Sequence, residues 1–244
     1  MCFQKKNYRK GGFTFKQFFV AHDRCAMKVG TDGVLLGAWA PVEGVQFALD
    51  IGSGSGLIAL MLAQRNIALR VDAVELDSDA ASQAQENFVE SPWAERLQVI
   101  NQDIISYSQK SPIQYDLIVS NPPYFEPAVA CRDEKRDQAR YTATLTHDVL
   151  LASAKCCLAP RGLFCLVLPY DAGEKMQKMA EGSGWFTAFR VNVSDKLTTG
   201  YHRMLLGFQL QEIQTQVSSL ALKDEFGEYT DEFRKLIQPF YVKY

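Results

Sequence analysis

Short apolar runs alternate with segments of helical periodicity along most of the chain. The apolar runs that predict strands cover 47–51, 71–76, 97–100, 115–119, 163–168, 185–193 and 204–210. The helical segments cover 31–40, 57–64, 145–158, 172–180 and 230–237, and one more runs toward Val89. We expect Thr31 or Asp32 to cap the first helix, and Ser78 or Asp79 to cap the one that ends near Val89. This alternation predicts an α/β fold, a doubly wound parallel sheet covered by helices on both faces.

The connection between the last two predicted strands is too short for a helical crossover. These two strands should therefore pair antiparallel, which makes the sheet seven-stranded and mostly parallel with one antiparallel strand. We expect one domain, with a core at 47–210, an N-terminal extension at 1–46 and a C-terminal extension at 211–244.

The composition is that of an ordinary globular protein, with 47% hydrophobic and 22% charged residues in a chain of 244. The longest apolar run, 163–168, is far shorter than the ~20 residues of a membrane span. No secretory leader is recognisable, so we expect a cytoplasmic protein without membrane contact. The cysteines form no CxxC pair, which argues against a metal site and a disulfide framework. They occupy positions 2, 25, 131, 156, 157 and 165.

Positive charge is concentrated in two short segments, although the formal net charge is only −2. The cationic side chains are Lys5, Lys6, Arg9 and Lys10 in the first segment and Arg132, Lys135, Arg136 and Arg140 in the second. Local basic patches on an otherwise acidic protein can bind the phosphates of RNA. For the first segment, a solvated tail is an equally good interpretation.

A glycine-rich turn, Asp50-Ile-Gly-Ser-Gly-Ser-Gly56, follows the first strand of the core and opens a helix. Glycines let a ligand touch the backbone, and the helix N-terminus offers free N–H groups. The spacing does not match the G-x-G-x-x-G of dinucleotide-binding proteins. It resembles the first motif of class I methyltransferases, whose sheet has the same seven-stranded plan. That resemblance implies that Asp50, Gly52, Ser53, Gly54 and Gly56 hold the amino-acid part of S-adenosylmethionine.

Acidic residues follow the next two strands, at the edge where the carboxyl ends of parallel strands line one crevice. Glu75 lies where an acid commonly meets ribose hydroxyls in such folds, with Leu76 beside it and Asp77 as the alternative. For Asp103, the methyltransferase resemblance implies that the carboxylate accepts from the adenine amino group of the cofactor, while Ile104 offers its backbone N–H. A helix cap is the alternative role for each acid.

The tetrapeptide Asn121-Pro122-Pro123-Tyr124 directly follows the fourth strand. Its carbonyl groups are hydrogen-bond acceptors, and Tyr124 adds a flat ring on which a base can stack. Acceptors beside a stacking surface suit an amino group on a planar ring. The tetrapeptide resembles the catalytic motif of amino-group methyltransferases, which act on adenine N6, guanine N2 or a glutamine amide.

The segment from Lys28 to Ala38 resembles the N-terminal signature of bacterial tRNA1(Val) (adenine(37)-N6)-methyltransferases, and the resemblance covers essentially the whole chain. It implies methyl transfer from S-adenosylmethionine to N6 of adenine 37 in the anticodon loop, with tRNA as the partner. It also implies that Thr31 and Asp32 close over the cofactor and that Asn121 contacts it. Thr142 departs from the expected residue, which leaves the role of its loop open.

Other functions compete with this interpretation. The same tetrapeptide occurs in enzymes that methylate guanine N2 or a protein glutamine, although the latter usually carry a helical N-terminal domain, for which the residues before Phe47 are too few. A nucleotide-binding or RNA-binding module without catalysis is the alternative of another class, and the intact Asn-Pro-Pro-Tyr argues against it. Nothing in the sequence indicates a metal or an obligate protein partner.

Overall fold

The computed structural model describes residues 11–111, 113–123 and 145–242. The first elements are the strands β1 (Gly12–Thr14) and β2 (Phe19–Ala21), which pair as a small antiparallel ribbon, and the helix α1 (Thr31–Trp39). The core then alternates as expected through β3 (Phe47–Ile51), α2 (Leu57–Arg65), β4 (Arg70–Glu75), α3 (Ser78–Val89), β5 (Leu97–Asn101), α4 (Ile104–Lys110) and β6 (Tyr115–Ser120). A short 3-10 helix, Ala94–Arg96, precedes β5.

After the second gap the chain continues with α5 (His147–Cys157), β7 (Leu158–Pro169), α6 (Tyr170–Gly182), β8 (Phe186–Lys196), β9 (Tyr201–Gln209), β10 (Gln216–Lys223) and α7 (Asp231–Ile237). The strands from β3 onward form one sheet in the order β10-β8-β9-β7-β6-β3-β4-β5. Strand β9 runs antiparallel to both of its neighbours, β7 and β8, and the other described pairings in this sheet are parallel. The doubly wound fold and the antiparallel pairing of β8 with β9 are therefore confirmed.

Within the described ranges the sheet has eight strands, so the expected number of seven is one too few. The additional strand, β10, pairs with β8 at the edge of the sheet. Its first four residues, 216–219, are all exposed. An edge strand with so little buried surface lacks the apolar signal by which the inner strands are recognised.

Two caps differ from expectation. Helix α3 is capped by Asp77, whose Oδ1 accepts from the N–H of Ala80 at 2.8 Å, and not by Ser78 or Asp79. Helix α1 starts after Gly30, a residue without a side chain at the cap position, so neither Thr31 nor Asp32 caps it, and the carboxylate of Asp32 is paired with Arg203. Thr230 caps α7 through its Oγ1, which accepts from the N–H of Phe233 at 3.3 Å.

Apolar side chains fill both faces of the sheet. One cluster joins α1 and α2 to both extensions, through buried residues such as Phe15, Phe233 and Phe240. The other lies under α4, α5 and α6 and contains Trp185 and Phe208. Helix α2 is buried from Leu57 through Ala63, as predicted by the apolar residues on all sides of this helix. No helix in the described ranges has the length and apolarity that crossing a membrane would require.

Candidate active site

The parallel strands β3, β4, β5 and β6 end at one edge of the sheet, where the predicted motifs meet. The turn after β3 is held down by two hydrogen bonds from the N–H groups of Gly52 and Ser53 to the carbonyl of Val74, at 2.9 and 3.3 Å. Its three glycines all have left-handed backbones, with φ of 71° at Gly52, 53° at Gly54 and 76° at Gly56. Glycine adopts this conformation without the steric cost that other residues incur.

The glycines of this turn serve different purposes. A Cβ on Gly54 would meet nothing within 4 Å, so this backbone faces open space where a ligand can lie against it. A Cβ on Gly56 would come within 2.4 Å of the Phe88 ring, so this glycine allows α2 to pack closely on α3. Gly56 does not line the crevice described below, and its predicted contact with a cofactor remains a prediction.

Glu75 holds the glycine-rich turn against the end of β4. Its Oε2 accepts from the N–H of Gly54 at 2.8 Å, and its Oε1 accepts from the N–H of Asp77 at 2.9 Å. Glu75 is the last residue of β4 and is 4% exposed, and it lines neither the crevice nor the smaller hollow described below. The structure thus gives Glu75 a positioning role that the sequence did not predict, while its contact with ribose hydroxyls remains a prediction.

Asp50 is fully buried beneath the turn. Its Oδ2 accepts from the N–H of Ala59 at 3.3 Å, and its Oδ1 has no hydrogen-bond partner among the described residues. Burial, with a smaller contribution from the negative charge of Glu75, raises the pKa of Asp50 to about 7. Asp50 does not line the crevice, so its predicted contact with a cofactor also remains a prediction.

A crevice of about 270 Å³ opens beside the turn. Six of the predicted site residues line it: Thr31, Asp32, Gly52, Ser53, Gly54 and Asn121. The residues 27–30 before α1 and Arg203 of β9 also line it, and sequence reasoning missed them. Arg203 donates from Nε to Asp32 Oδ1, and its Nη1 lies 3.4 Å from Asp195 Oδ1. No local motif marks Arg203, because its position depends on the antiparallel return of β9.

A second, much smaller hollow of about 20 Å³ continues along the same edge, between the ends of β3, β4 and β5. Gly52, Leu76, Asp103 and Ile104 line it. Asp103 is also the N-cap of α4, with its carboxylate 3.4 Å from the N–H groups of Ile105 and Ser106. The predicted ligand role and the alternative helix-cap role are therefore compatible in this residue.

Asn121 enters the crevice from the end of β6. The strand is fixed just before it, since Ser120 Oγ donates to the carbonyl of Ile51 on β3 at 2.9 Å. The Asn121 Oδ1 is buried and has no hydrogen-bond partner among the described residues, and Pro122 beside it is buried. Tyr124 lies outside the described residues, as do the eight predicted RNA-binding side chains of the two basic segments.

The crevice carries charges of both signs, because the Asp32 carboxylate and the cations Lys28 and Arg203 line it. Ser53 Oγ and Asn121 Oδ1 are buried oxygens at the crevice that have no hydrogen-bond partner among the described residues, and buried polar atoms normally have one. Asp32 supplies a carboxylate at its wall. Within the described ranges, no group of three His, Cys, Asp or Glu side chains could hold a metal ion. The amino-acid part of S-adenosylmethionine, which carries both an ammonium group and a carboxylate, matches this lining.

Comparison with known proteins agrees with this geometry. Residues 35–181 match the methyltransferase small domain family. The chain is 62% identical over 238 residues to a tRNA1(Val) (adenine(37)-N6)-methyltransferase of Serratia proteamaculans, covering 97% of this chain and 92% of that protein. It is 55% identical over 242 residues to the protein of the same name from Photorhabdus laumondii, covering 99% of each.

Solved structures share the fold at low sequence identity. A protein described as a predicted O-methyltransferase from Agrobacterium tumefaciens superposes with a TM-score of 0.68 at 16% identity, covering 86% of this chain and 96% of that one. A glycopeptide N-methyltransferase complexed with S-adenosyl-L-methionine gives a TM-score of 0.53 at 14% identity, covering 74% of this chain and 95% of that one.

The fold and the crevice define a class I methyltransferase. The family match over residues 35–181 and the relatives that cover nearly the whole chain identify the family within this class. The chain belongs to the methyltransferase small domain family and, within it, to the tRNA1(Val) (adenine(37)-N6)-methyltransferases.

Proposed function

We propose that this protein transfers a methyl group from S-adenosylmethionine to N6 of an adenine in RNA, namely adenine 37 of tRNA1(Val). The names of relatives that are 62% and 55% identical over nearly the whole chain support the choice of base and tRNA. The single observation that carries the chemistry is the buried, unpartnered Oδ1 of Asn121 in the crevice formed beside the glycine-rich turn. A tRNA substrate also implies that the enzyme works in the cytoplasm.

The proposed cofactor residues lie along one edge of the sheet. Asp32 and the turn at 52–54, which line the crevice, would hold the amino-acid part, and Asp103 with Ile104, which line the smaller hollow, would hold the adenine. Glu75, which contacts the turn at Gly54, would hold the ribose. S-adenosylmethionine supplies, when bound, a methyl group on a positively charged sulfur. The residues around it provide oxygens and backbone N–H groups already in place, so little reorganisation accompanies the reaction.

The chemistry of the target explains why Asn121 has the central role. The exocyclic nitrogen of adenine is conjugated with its ring, so its lone pair is a poor nucleophile. Asn121 Oδ1 and the carbonyl of Pro122 can each accept one N–H, which orients the amino group and turns its lone pair away from the ring. The extra proton can leave the nitrogen for solvent after transfer, so the site needs no strong base.

Asn121→Ala tests this proposal directly. We expect kcat to fall by ~100-fold or more, the scale for removing one preorganised hydrogen-bonding group at a reacting centre. The affinity for S-adenosylmethionine, measured by titration calorimetry, should change little. The assay is methylation of unmodified tRNA followed by nucleoside mass spectrometry.

Substrate identity is tested by the modified nucleosides of each purified tRNA from cells that lack the gene. Loss of N6-methyladenosine from tRNA1(Val) alone agrees with the proposal. Loss of a methylguanosine from RNA, or of a methylglutamine from the proteins of the same cells, with N6-methyladenosine retained in every tRNA, would overturn the choice of substrate. Binding of the cofactor without any methyl transfer would favour a non-catalytic module.

A further inference from the structure

The β8–β9 hairpin turns back at the crevice edge and contains a β-bulge. Arg203 pairs with Val193, but Tyr201 pairs with Ser194, so one extra residue, His202, is inserted in β9. In a regular strand, residues two apart point to the same face. Here Arg203 reaches Asp32 of α1 on one face, whereas Tyr201 stacks on Tyr170 of α6 on the other. Bulges commonly redirect side chains near active sites.

Among the described residues, the Tyr201 ring stacks on the ring of Tyr170. The ring centroids are 5.5 Å apart, and the angle between the planes is 26°. Tyr170 is itself fixed by Arg190, whose Nη2 donates to the Tyr170 hydroxyl at 2.9 Å. Tyr201 remains 46% exposed, as expected for a ring with one covered face and one open face. The result is a supported aromatic surface that faces outward.

This surface lies close to the proposed reaction centre. Strand β9 is separated from β6, which carries Asn121, only by β7. Two strand spacings amount to roughly 10 Å across the sheet, at about 4.8 Å each. Along the strands, Ser120 is level with Leu166 and Leu166 with Leu206, so Tyr201 lies beyond the carboxyl end of β6, about 10 Å further along than Asn121 at about 3.3 Å per residue. The turn of the hairpin also exposes Leu197, at 65%, and the cation Lys196. A nucleotide next to a base placed at Asn121 can therefore reach this surface.

We propose that Tyr201 is a stacking platform for the base of a nucleotide that flanks the target adenosine. This inference rests on the proposed function, because it presumes an RNA substrate at Asn121. Every nucleobase has a flat face, so stacking holds a single-stranded segment without reading its sequence. The platform would hold the neighbouring nucleotide while the target base leaves the stack of the loop.

The test uses the full-length protein and a synthetic anticodon stem-loop, with RNA binding measured by fluorescence anisotropy. Tyr201→Ala should weaken binding ~5- to 100-fold, the range for one base–aromatic stack, and Tyr201→Phe should bind like the wild type. Phe186→Ala is the matched control, because Phe186 is 37% exposed at the opposite end of β8 and should not affect RNA. Cofactor affinity should be unchanged in all three variants.

Abasic substitutions in the stem-loop identify the partner base. Removing the base on one side of the target should weaken binding to the wild type by the same factor, and should cause no further loss with Tyr201→Ala. If neither abasic stem-loop binds the wild type more weakly, or if their effects add to that of Tyr201→Ala, the platform does not exist. A wild-type protein that methylates no tRNA would instead refute the proposed function itself.

Discussion

Asp32 in the first turn of α1 and Arg203 on β9 form an ion pair across the mouth of the crevice, although 171 residues separate them in the sequence. The two side chains are only 18% and 29% exposed, so solvent screens the pair less than it screens an exposed one. The ion pair connects α1, which forms one wall of the crevice, to β9, which lies on the other side of the crevice. This geometry leads to the first prediction.

Asp32→Asn and Arg203→Met should each lower the free energy of unfolding by ~1 kcal/mol, and the double variant should lose little more than either single one. The measurement is urea unfolding of the wild type, both single variants and the double variant. Asp195→Asn is the control, since Asp195 is 55% exposed and lies 3.4 Å from Arg203, so its coupling should be smaller. Additive losses for Asp32 and Arg203 would show that the pair contributes nothing.

Glu75→Ala should weaken binding of S-adenosylmethionine by ~1.5–3 kcal/mol, the scale of a hydrogen bond to a charged group. The loss has two sources, because the carboxylate positions Gly54 and is the proposed partner of the ribose. Glu75→Gln keeps one acceptor oxygen and should lose less. Titration calorimetry measures the affinity of each variant for S-adenosylmethionine. An affinity that is unchanged in Glu75→Ala would rule out the ribose contact.

Alanine substitutions at two glycines of one turn should have different consequences. Gly56→Ala places a methyl group 2.4 Å from the Phe88 ring and should lower the melting temperature markedly. Gly54→Ala has the backbone cost of its left-handed φ of 53° but no clash, so its main effect should be weaker cofactor binding. Thermal unfolding and calorimetry on both variants test this contrast. Equal loss of stability with equal cofactor affinity would contradict it.

Asp50 should make the stability of the fold depend on pH. Its pKa is raised from 3.8 to about 7 in the folded protein, so the folded state binds its proton more tightly than the unfolded state. The stabilisation of the folded state by this proton is fully present below about pH 4 and is lost as the pH rises to about 7. The free energy of unfolding changes by up to a few kcal/mol between these pH values. The free energy of unfolding of the wild type, relative to Asp50→Asn, should therefore fall across this interval. A constant difference from pH 4 to 8 would refute the assignment.

Deletion of residues 1–10 tests the proposed RNA contacts of the first basic segment. Loss of Lys5, Lys6, Arg9 and Lys10 should weaken tRNA binding, and each lost phosphate contact should reduce the slope of log affinity against log salt by ~0.7–0.9. Affinities measured at several salt concentrations give that slope. Deletion without effect on affinity or slope would identify the segment as a solvated tail.

The inner strands could be predicted because parallel strands buried on both faces are continuous apolar runs, as in Leu163–Leu168. The clustering of the motifs could also be predicted, because the carboxyl ends of parallel strands meet at one edge of the sheet. Contacts between distant segments could not be predicted this way. Asp32 forms an ion pair because β9 brings Arg203 to the first turn of α1, and Glu75 binds the turn because β4 lies beside β3. Such relationships depend on tertiary packing that no local pattern contains.

The contact between the N-terminal and C-terminal segments has a consequence for the order in which the protein folds during translation. Lys16 donates from its backbone N–H to the carbonyl of Phe240 at 2.7 Å, and its Nζ donates to the carbonyl of Gln238, 222 residues further along the chain. A ribosome synthesises the chain from the N-terminus, so Phe15 and its neighbours lack these partners until the segment at 238–240 has been translated. The apolar cluster behind α1 can therefore close only after that point, and shorter nascent chains would have an incompletely supported crevice.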